Sequence, residues 1–109
     1  MTINWNEIPE TAMEHFKCGE GTTYARMFFD GSVRVMLGRL PEGASIGMHT
    51  HETNSEVFHV LQGTARVVLD GTEEIIPAGQ LHYCPKGHTH TTFNGGTGDL
   101  ILLAVVPEQ

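Results

Sequence analysis

The sequence predicts an all-β fold, built as a sandwich or a barrel of short antiparallel strands. Short segments rich in β-branched and aromatic residues recur about eight times in the 109-residue chain, with turn-forming sequences between them. The 13 glycines and 5 prolines also disfavour long helices. Many short strands at such regular spacing are typical of two packed antiparallel sheets or of a closed barrel.

In chain order, the first predicted element is a helical turn or two within residues 8–16, where Pro9 suits the first position of a helix. Strands are predicted at 33–40, 46–51, 56–61, 65–69, 73–76, 81–84, 89–93 and 100–106. Turns are predicted at 41–43, 62–63, 70–71, 77–79, 85–87 and 94–96. Asp70 and Gly71 are the best candidates for a two-residue hairpin turn, because both tolerate positive φ.

Size, charge and cysteine usage limit the classes of protein to which the chain can belong. A mass of 12.0 kDa predicts that residues 1–109 form one domain. With 6 Lys and Arg against 13 Asp and Glu, the net charge of −7 opposes binding to nucleic acid or to anionic membranes. Cys18 and Cys84 lack a CxxC spacing, and the N-terminus lacks a signal-peptide pattern. We therefore expect a cytoplasmic protein.

Histidines are concentrated in the middle of the chain, where six of the seven lie between positions 49 and 90. His49 and His51 are two residues apart on a predicted strand, so both imidazoles leave the same face of the sheet. Glu56 opens the next strand after a four-residue loop, and His90 adds an imidazole from a later strand. Such a donor set suits Mn, Fe, Co, Ni or Zn better than Ca or Mg. Taken alone, however, a His-x-His pair is more often not a metal site, and Glu56 would be a solvated surface charge.

The spacing of these residues forms two motifs, Gly43-x5-His49-x-His51-x4-Glu56-x6-Gly63 and Gly79-x5-Pro85-x-Gly87-x2-His90-x3-Asn94. They resemble the two signature motifs of the cupin superfamily at all ten fixed positions, with motif 1 at 43–63 and motif 2 at 79–94. The resemblance implies a double-stranded β-helix, or jelly-roll barrel, with a divalent transition metal inside. It also implies that the metal ligands are His49, His51, Glu56 and His90.

Other residues near the motifs are candidates for substrate binding or proton transfer. His88 shares strand parity with His90 and can face the cavity, with a solvent-exposed position as an equal alternative. On strand 81–84, parity leaves open whether Tyr83 or His82 points inward, and either can act as an acid or base. Arg34 lies on the strand before motif 1 and can pair with a substrate carboxylate, the alternative being an ordinary surface position.

The resemblance implies a class of function rather than one reaction, because similar metal centres in this superfamily serve several chemistries. We expect a metal-dependent enzyme that acts on a small oxygen-rich molecule, such as a sugar acid, keto acid or diketone. Its reaction would be of the dioxygenase, decarboxylase, isomerase or cyclase type, with His88, Tyr83 and Arg34 as catalytic residues. The alternative is a non-catalytic module that binds a small molecule. In either case we expect a homodimer, with Trp5 and Ile8 packing across the subunits.

Overall fold

The computed structural model describes residues 1–109 and contains ten β-strands and two short 3₁₀ helices. The 3₁₀ helices span Trp5–Glu7 and Phe16–Cys18. The strands are β1 (Thr11–Glu14), β2 (Thr22–Phe29), β3 (Val33–Leu40), β4 (Ser45–Thr50), β5 (Glu56–Gln62), β6 (Thr64–Leu69), β7 (Thr72–Pro77), β8 (Leu81–Cys84), β9 (Thr89–Asn94) and β10 (Leu100–Pro107). The predicted all-β class is confirmed. None of the helices has the length and apolar character needed to cross a membrane.

The strands form two antiparallel sheets. The six-stranded sheet has the order β1-β2-β3-β10-β5-β8, and the four-stranded sheet has the order β4-β9-β6-β7. In the first sheet β10 pairs with both β3 and β5, and in the second β9 pairs with both β4 and β6. Neighbouring strands are therefore often far apart in sequence, and the chain crosses repeatedly between the sheets. This is the topology of a jelly roll, as predicted.

The hydrophobic core lies between the sheets and uses every second residue of most strands, as on β3, β5, β6 and β10. On β5, Phe58 and Val60 are fully buried, and on β10 the same is true of Leu100 and Leu102. Burying a side chain of this kind contributes about 1.5–3 kcal/mol to folding. Since Glu56 has the same parity as Phe58 and Val60, the strand also directs a carboxylate into the interior.

The turn between β6 and β7 is the two-residue hairpin that the sequence predicts. Asp70 and Gly71 both have positive φ, at 48° and 84°. Leu69 and Thr72 pair directly on either side of the turn. A primed turn requires this backbone conformation, which matches the twist of the flanking strands.

The prediction of a helical turn within residues 8–16 is wrong over most of that segment. Residues Thr11–Glu14 form β1, which pairs antiparallel with β2. The strand β2, at Thr22–Phe29, was itself not among the predicted strands. The free edge of β2 carries unpaired backbone N–H and C=O groups. Hydrogen bonds from residues 11–14 satisfy these groups, and this pairing outweighs the helical preference of that segment.

The second 3₁₀ helix packs against β4 through a close backbone crossing. A Cβ atom on Gly47 would lie only 1.9 Å from the carbonyl oxygen of Lys17, so only glycine fits at this point. His15, Lys17 and Cys18 all have positive φ, between 49° and 64°, which is uncommon for residues other than glycine. The crossing holds this strained segment beside the strand that carries His49.

Candidate metal centre

Four donor side chains from the two sheets come together inside the sandwich. His49 lies on β4, and its register partner across the sheet is His90 on β9. His51 directly follows β4, and Glu56 begins β5 in the other sheet. Their donor atoms all lie within 4.8 Å of one another. The structure therefore brings together the four residues that the sequence analysis named as ligands.

The shortest contacts among these donors converge on His90. Its Nε2 atom lies 3.0 Å from Nε2 of His51 and 3.1 Å from Nε2 of His49. One carboxylate oxygen of Glu56 lies 3.1 Å from Nε2 of both His51 and His90. His51, Glu56 and His90 are buried, so solvent screens these contacts only weakly.

Each imidazole of the cluster uses its other nitrogen to bind a neighbouring group. Nδ1 of His49 donates to the carbonyl oxygen of Gly47 at 2.7 Å. Nδ1 of His51 donates to the side-chain oxygen of Asn54 at 2.6 Å. The amide nitrogen of Asn54 donates to Glu108, which leaves the amide oxygen as the acceptor facing His51.

His90 is held by a hydrogen-bonded relay of two residues, His82 and Glu74, that ends at the surface. Nδ1 of His90 lies 3.0 Å from Nε2 of His82, and the two rings stack. Nδ1 of His82 donates to the carboxylate of Glu74 at 3.2 Å. Burial lowers the pKa of His82, so its ring is neutral and its Nε2 is an acceptor. His90 must then donate from Nδ1, which leaves a lone pair on its Nε2 atom.

The donor set fits a divalent cation. A neutral imidazole carries one N–H, and in His49, His51 and His90 that N–H lies on the outward-facing Nδ1. The three Nε2 lone pairs therefore face one another and the Glu56 carboxylate, which is repulsive unless a positive charge lies between them. Two ligands about 2.1 Å from an ion and at right angles to each other are roughly 3.0 Å apart, close to the separations observed.

Burial and hydrogen bonding shift the pKa values of these donors. Burial raises the pKa of Glu56, but its contacts with Nε2 of His51 and His90, which donate hydrogen bonds when those rings are protonated, outweigh burial and lower the pKa to about 2. Burial lowers the pKa of His49, which favours the neutral ring that a metal requires. The hydrogen bond to Glu56 raises the pKa of His51, so protons compete with a cation there as the pH falls.

A cavity of about 530 Å³ opens beside the cluster. His49, His51 and Glu56 line it, whereas His90 is not among the lining residues. The cavity volume lies within the range typical of sites for small molecules. A small molecule in the cavity can therefore reach the donors from one side.

The three predicted catalytic residues lie in different surroundings. Arg34 lines the cavity, as the sequence analysis anticipated. Tyr83 does not, because β8 directs it to the outer face of the sheet, where it is 55% exposed. His88 is also outside the cavity, since it precedes β9 and its side chain binds Asp70 at the surface. The structure therefore places Tyr83 and His88 outside the cavity, which is the alternative that strand parity left open for each of them.

The strand parity that the sequence left open on β8 is settled by the structure. His82 and Cys84 point inward and are fully buried, while Leu81 and Tyr83 point outward. Burial raises the pKa of the Cys84 thiol to about 11, so it is a buried apolar group and not a reactive thiolate. Cys18 is exposed, and the two cysteines are both free thiols.

Sequence reasoning missed several residues of the site. Lys17 lines the cavity only because its strained segment crosses β4. Asn54 and Glu74 lie outside the two motifs' fixed positions, and each contacts a ligand or its neighbour through the fold. No local sequence pattern marks any of these three residues.

Fold and site together define a class of protein. It is a double-stranded β-helix with an internal cluster of three histidines and one glutamate that can bind a metal ion. The cupin domain family matches residues 36–106, well over half of the chain, and this chain belongs to that family. No match was found among curated proteins.

Several solved structures share the fold. A predicted oxalate decarboxylase from Thermotoga maritima aligns over 100% of both chains, with a TM-score of 0.92 and 26% identity. KdgF from Halomonas sp. aligns over 95% of this chain and 90% of its own, with a TM-score of 0.76 and 17% identity. The cupin domain of Schizosaccharomyces pombe Cnp3 aligns over 91% and 69%, with a TM-score of 0.77 and 17% identity. The last two similarities concern the fold alone.

Proposed function

We propose that this protein is a metal-dependent enzyme that acts on a small oxygen-rich organic molecule. The observation that carries the proposal is the meeting of three imidazole Nε2 atoms and one carboxylate beside an open cavity. A closed structural site uses all of its positions, whereas this cluster borders free space on one side. The Thermotoga maritima neighbour, a predicted oxalate decarboxylase, supports a substrate that carries a carboxylate.

His49, His51, Glu56 and His90 would hold the ion, and their nitrogen and oxygen donors suit Mn, Fe, Co, Ni or Zn. When bound, such a metal supplies a Lewis acid that polarises an oxygen atom of the substrate. The protein's own groups bind and orient the substrate. Phe58 and Leu102 form an apolar part of the cavity wall that excludes water, and Arg34 faces the same space with its charge. The reaction is of the dioxygenase, decarboxylase, isomerase or cyclase type.

The proposal is tested by screening metal-loaded protein against sugar acids, keto acids and diketones, under air and under nitrogen. We expect metal-dependent turnover, and we expect Arg34→Gln to lower kcat/KM by about 10- to 100-fold, since it removes a charged hydrogen-bond donor. His88→Ala and Tyr83→Phe serve as comparisons outside the cavity and should retain activity. Equal losses in all three variants at unchanged metal content would contradict the assignment of the site to this cavity.

A non-catalytic binding module is the second candidate function, because a cavity beside a metal can also retain a metabolite without converting it. Tight binding of a panel compound without turnover under either atmosphere would favour this alternative.

The two free cysteines support a reducing compartment, and we propose on that basis that the protein is cytoplasmic.

We also propose a homodimer, formed through the outer face of the six-stranded sheet. In the strand register, Tyr83 pairs with Val57, and Val57 pairs with Val105. Leu81 extends this outward-facing apolar surface and is 63% exposed. The predicted contact through Trp5 and Ile8 has less support, because hydrogen bonds from Arg26 to their backbone carbonyls hold this segment against its own chain. The apolar outer face of the sheet is therefore the better candidate for the interface.

We expect light scattering at micromolar concentration to give about twice the mass of one 12.0 kDa chain. Leu81→Glu should produce monomers, because it places a charge within the proposed apolar contact. Ile75→Glu is the matched control, since Ile75 is 58% exposed on the other sheet. A monomeric parent protein, or equal dissociation in both variants, would contradict the proposed interface.

A further inference from the structure

Beyond the metal donors, half of the residues that line the cavity are hydrophobic. Three methionines, Met13, Met27 and Met36, line it together with Phe16 and Phe58. Methionine side chains adapt to irregular apolar shapes and pack well against hydrocarbon. The wall therefore offers a favourable environment to a molecule with a hydrocarbon body.

Two cations, Arg34 and Lys17, face the same cavity, and neither forms a salt bridge. The guanidinium of Arg34 lies over the Phe29 ring at 4.5 Å, and its only polar contact is the sulfur of Met27 at 4.0 Å. Lys17 contacts the ring of Phe16 at 5.6 Å and forms no salt bridge. In contrast, Arg39 outside the cavity is paired with Glu10 at 2.8 Å. Three carboxylates, Glu52, Glu56 and Glu108, also line the cavity. A bound divalent cation together with Arg34 and Lys17 outweighs their negative charge by one unit, which favours an anionic ligand.

The position of Lys17 is imposed by the fold. Its φ of 55° and ψ of 35° are strained for a non-glycine residue, and the crossing with Gly47 maintains them. This strained turn places both Phe16 and Lys17 at the cavity. One apolar and one cationic contact are thus supplied by adjacent residues.

Several groups that could bind the hydroxyls of a sugar are already hydrogen-bonded within the protein. Thr53 and the amide nitrogen of Asn54 both donate to Glu108, which also faces the cavity. The hydroxyl of Thr50 is bonded to that of Thr89 at 2.7 Å. A polyhydroxylated ligand would compete with these bonds, at a cost of about 1–3 kcal/mol for each group that is left unpaired.

We propose that the cavity selects a small organic anion with a hydrocarbon body, such as an aliphatic or aromatic 2-oxo acid, over polyhydroxy sugar acids and neutral diketones. This inference rests on the proposed function, because it names the substrate class of the same site. The acid group is attracted by Arg34 and Lys17, and the hydrocarbon body packs against the methionine-rich wall.

The inference is tested by calorimetric titration of Zn²⁺-loaded protein with 4-methyl-2-oxopentanoate, gluconate and pentane-2,4-dione. We expect the oxo acid to bind at least ~10-fold more tightly than either of the others. Arg34→Gln and Lys17→Gln should each weaken oxo-acid binding, by about 10-fold for Arg34 and by less for the more exposed Lys17, and should leave binding of the dione unchanged.

Matched controls are available for both substitutions. Arg66 also stacks on an aromatic ring, that of Phe93 at 4.0 Å, but does not line the cavity. Lys86 is an exposed lysine bonded to the carbonyl of Gln109. Arg66→Gln and Lys86→Gln should bind the oxo acid as the parent protein does, and the zinc content of every variant is measured alongside.

Equal or tighter binding of gluconate, or unchanged oxo-acid binding in both cavity variants, would overturn the inference. The test separates this inference from the proposed function, because it measures binding and not turnover. Oxo-acid binding without conversion of any panel compound would support the substrate class and contradict the enzyme proposal. Turnover of a sugar acid without oxo-acid binding would do the reverse.

Discussion

Replacing His49 or His90 with alanine is expected to abolish stable metal binding. The parent protein, purified without chelator, should hold about one divalent transition metal per chain. Losing the partner of a ligand typically weakens affinity by about 10- to 100-fold, and losing the ligand itself should cost more than this. His90 is the more severe case, because its Nε2 atom lies within 3.1 Å of the other three donors. Elemental analysis of the purified variants measures the effect.

His59→Ala provides the control for these substitutions, since His59 is a histidine of β5 on the opposite face from Glu56. It should retain the metal content of the parent protein. Melting curves show whether each variant is folded. Equal metal content in the parent, His49→Ala and His90→Ala proteins would eliminate the cluster as the metal site.

Removing the acceptor that holds His90 is expected to weaken metal binding by about 10- to 100-fold, even though no ligand is lost. His82→Phe keeps an aromatic ring beside Phe58 but cannot accept the hydrogen bond from Nδ1 of His90. His90 is then free to carry its proton on Nε2, where it blocks the lone pair that a metal needs. Competition with a chelator of known affinity measures the change.

Three further variants distinguish this role from simple packing. His82→Gln restores an acceptor and should recover part of the affinity, whereas Glu74→Ala removes the anchor of His82 and should reduce it. Glu73→Ala alters the neighbouring exposed carboxylate and should have no effect. Nitrogen NMR of the histidines reports the His90 tautomer directly. If His82→Phe binds metal as tightly as the parent protein, the relay does not position His90.

Most of the fold beyond residue 32 could be predicted from the sequence, because most strands there bury one face and therefore show a period of two in their side chains. Phe58 and Val60 on β5 are examples. The same periodicity explains why His49 and His51 could be recognised as a pair. The spacing of the two motifs extended this pair to Glu56 and His90.

The N-terminal part could not be predicted in the same way. Of the four residues of β1, only Met13 is partly buried, so the strand carries no alternating pattern. Its conformation comes from hydrogen bonds to β2, a partner about ten residues away. The local helical preference of a segment does not reflect such pairing, and for this reason residues 8–16 were wrongly predicted to contain a helical turn.

By itself, the sequence determined the all-β class through its strand periodicity, and the resemblance of its two motifs to the cupin signatures implied the four donors. Both signals are local properties of the chain. Only the tertiary structure decided which side chains surround those donors. It turned Tyr83 outward and His82 inward, connected His82 to Glu74, and brought Lys17 to the cavity through the crossing at Gly47. These contacts join residues on different strands and turns, and their distances depend on how the two sheets pack and where the backbone crosses, which no local pattern records.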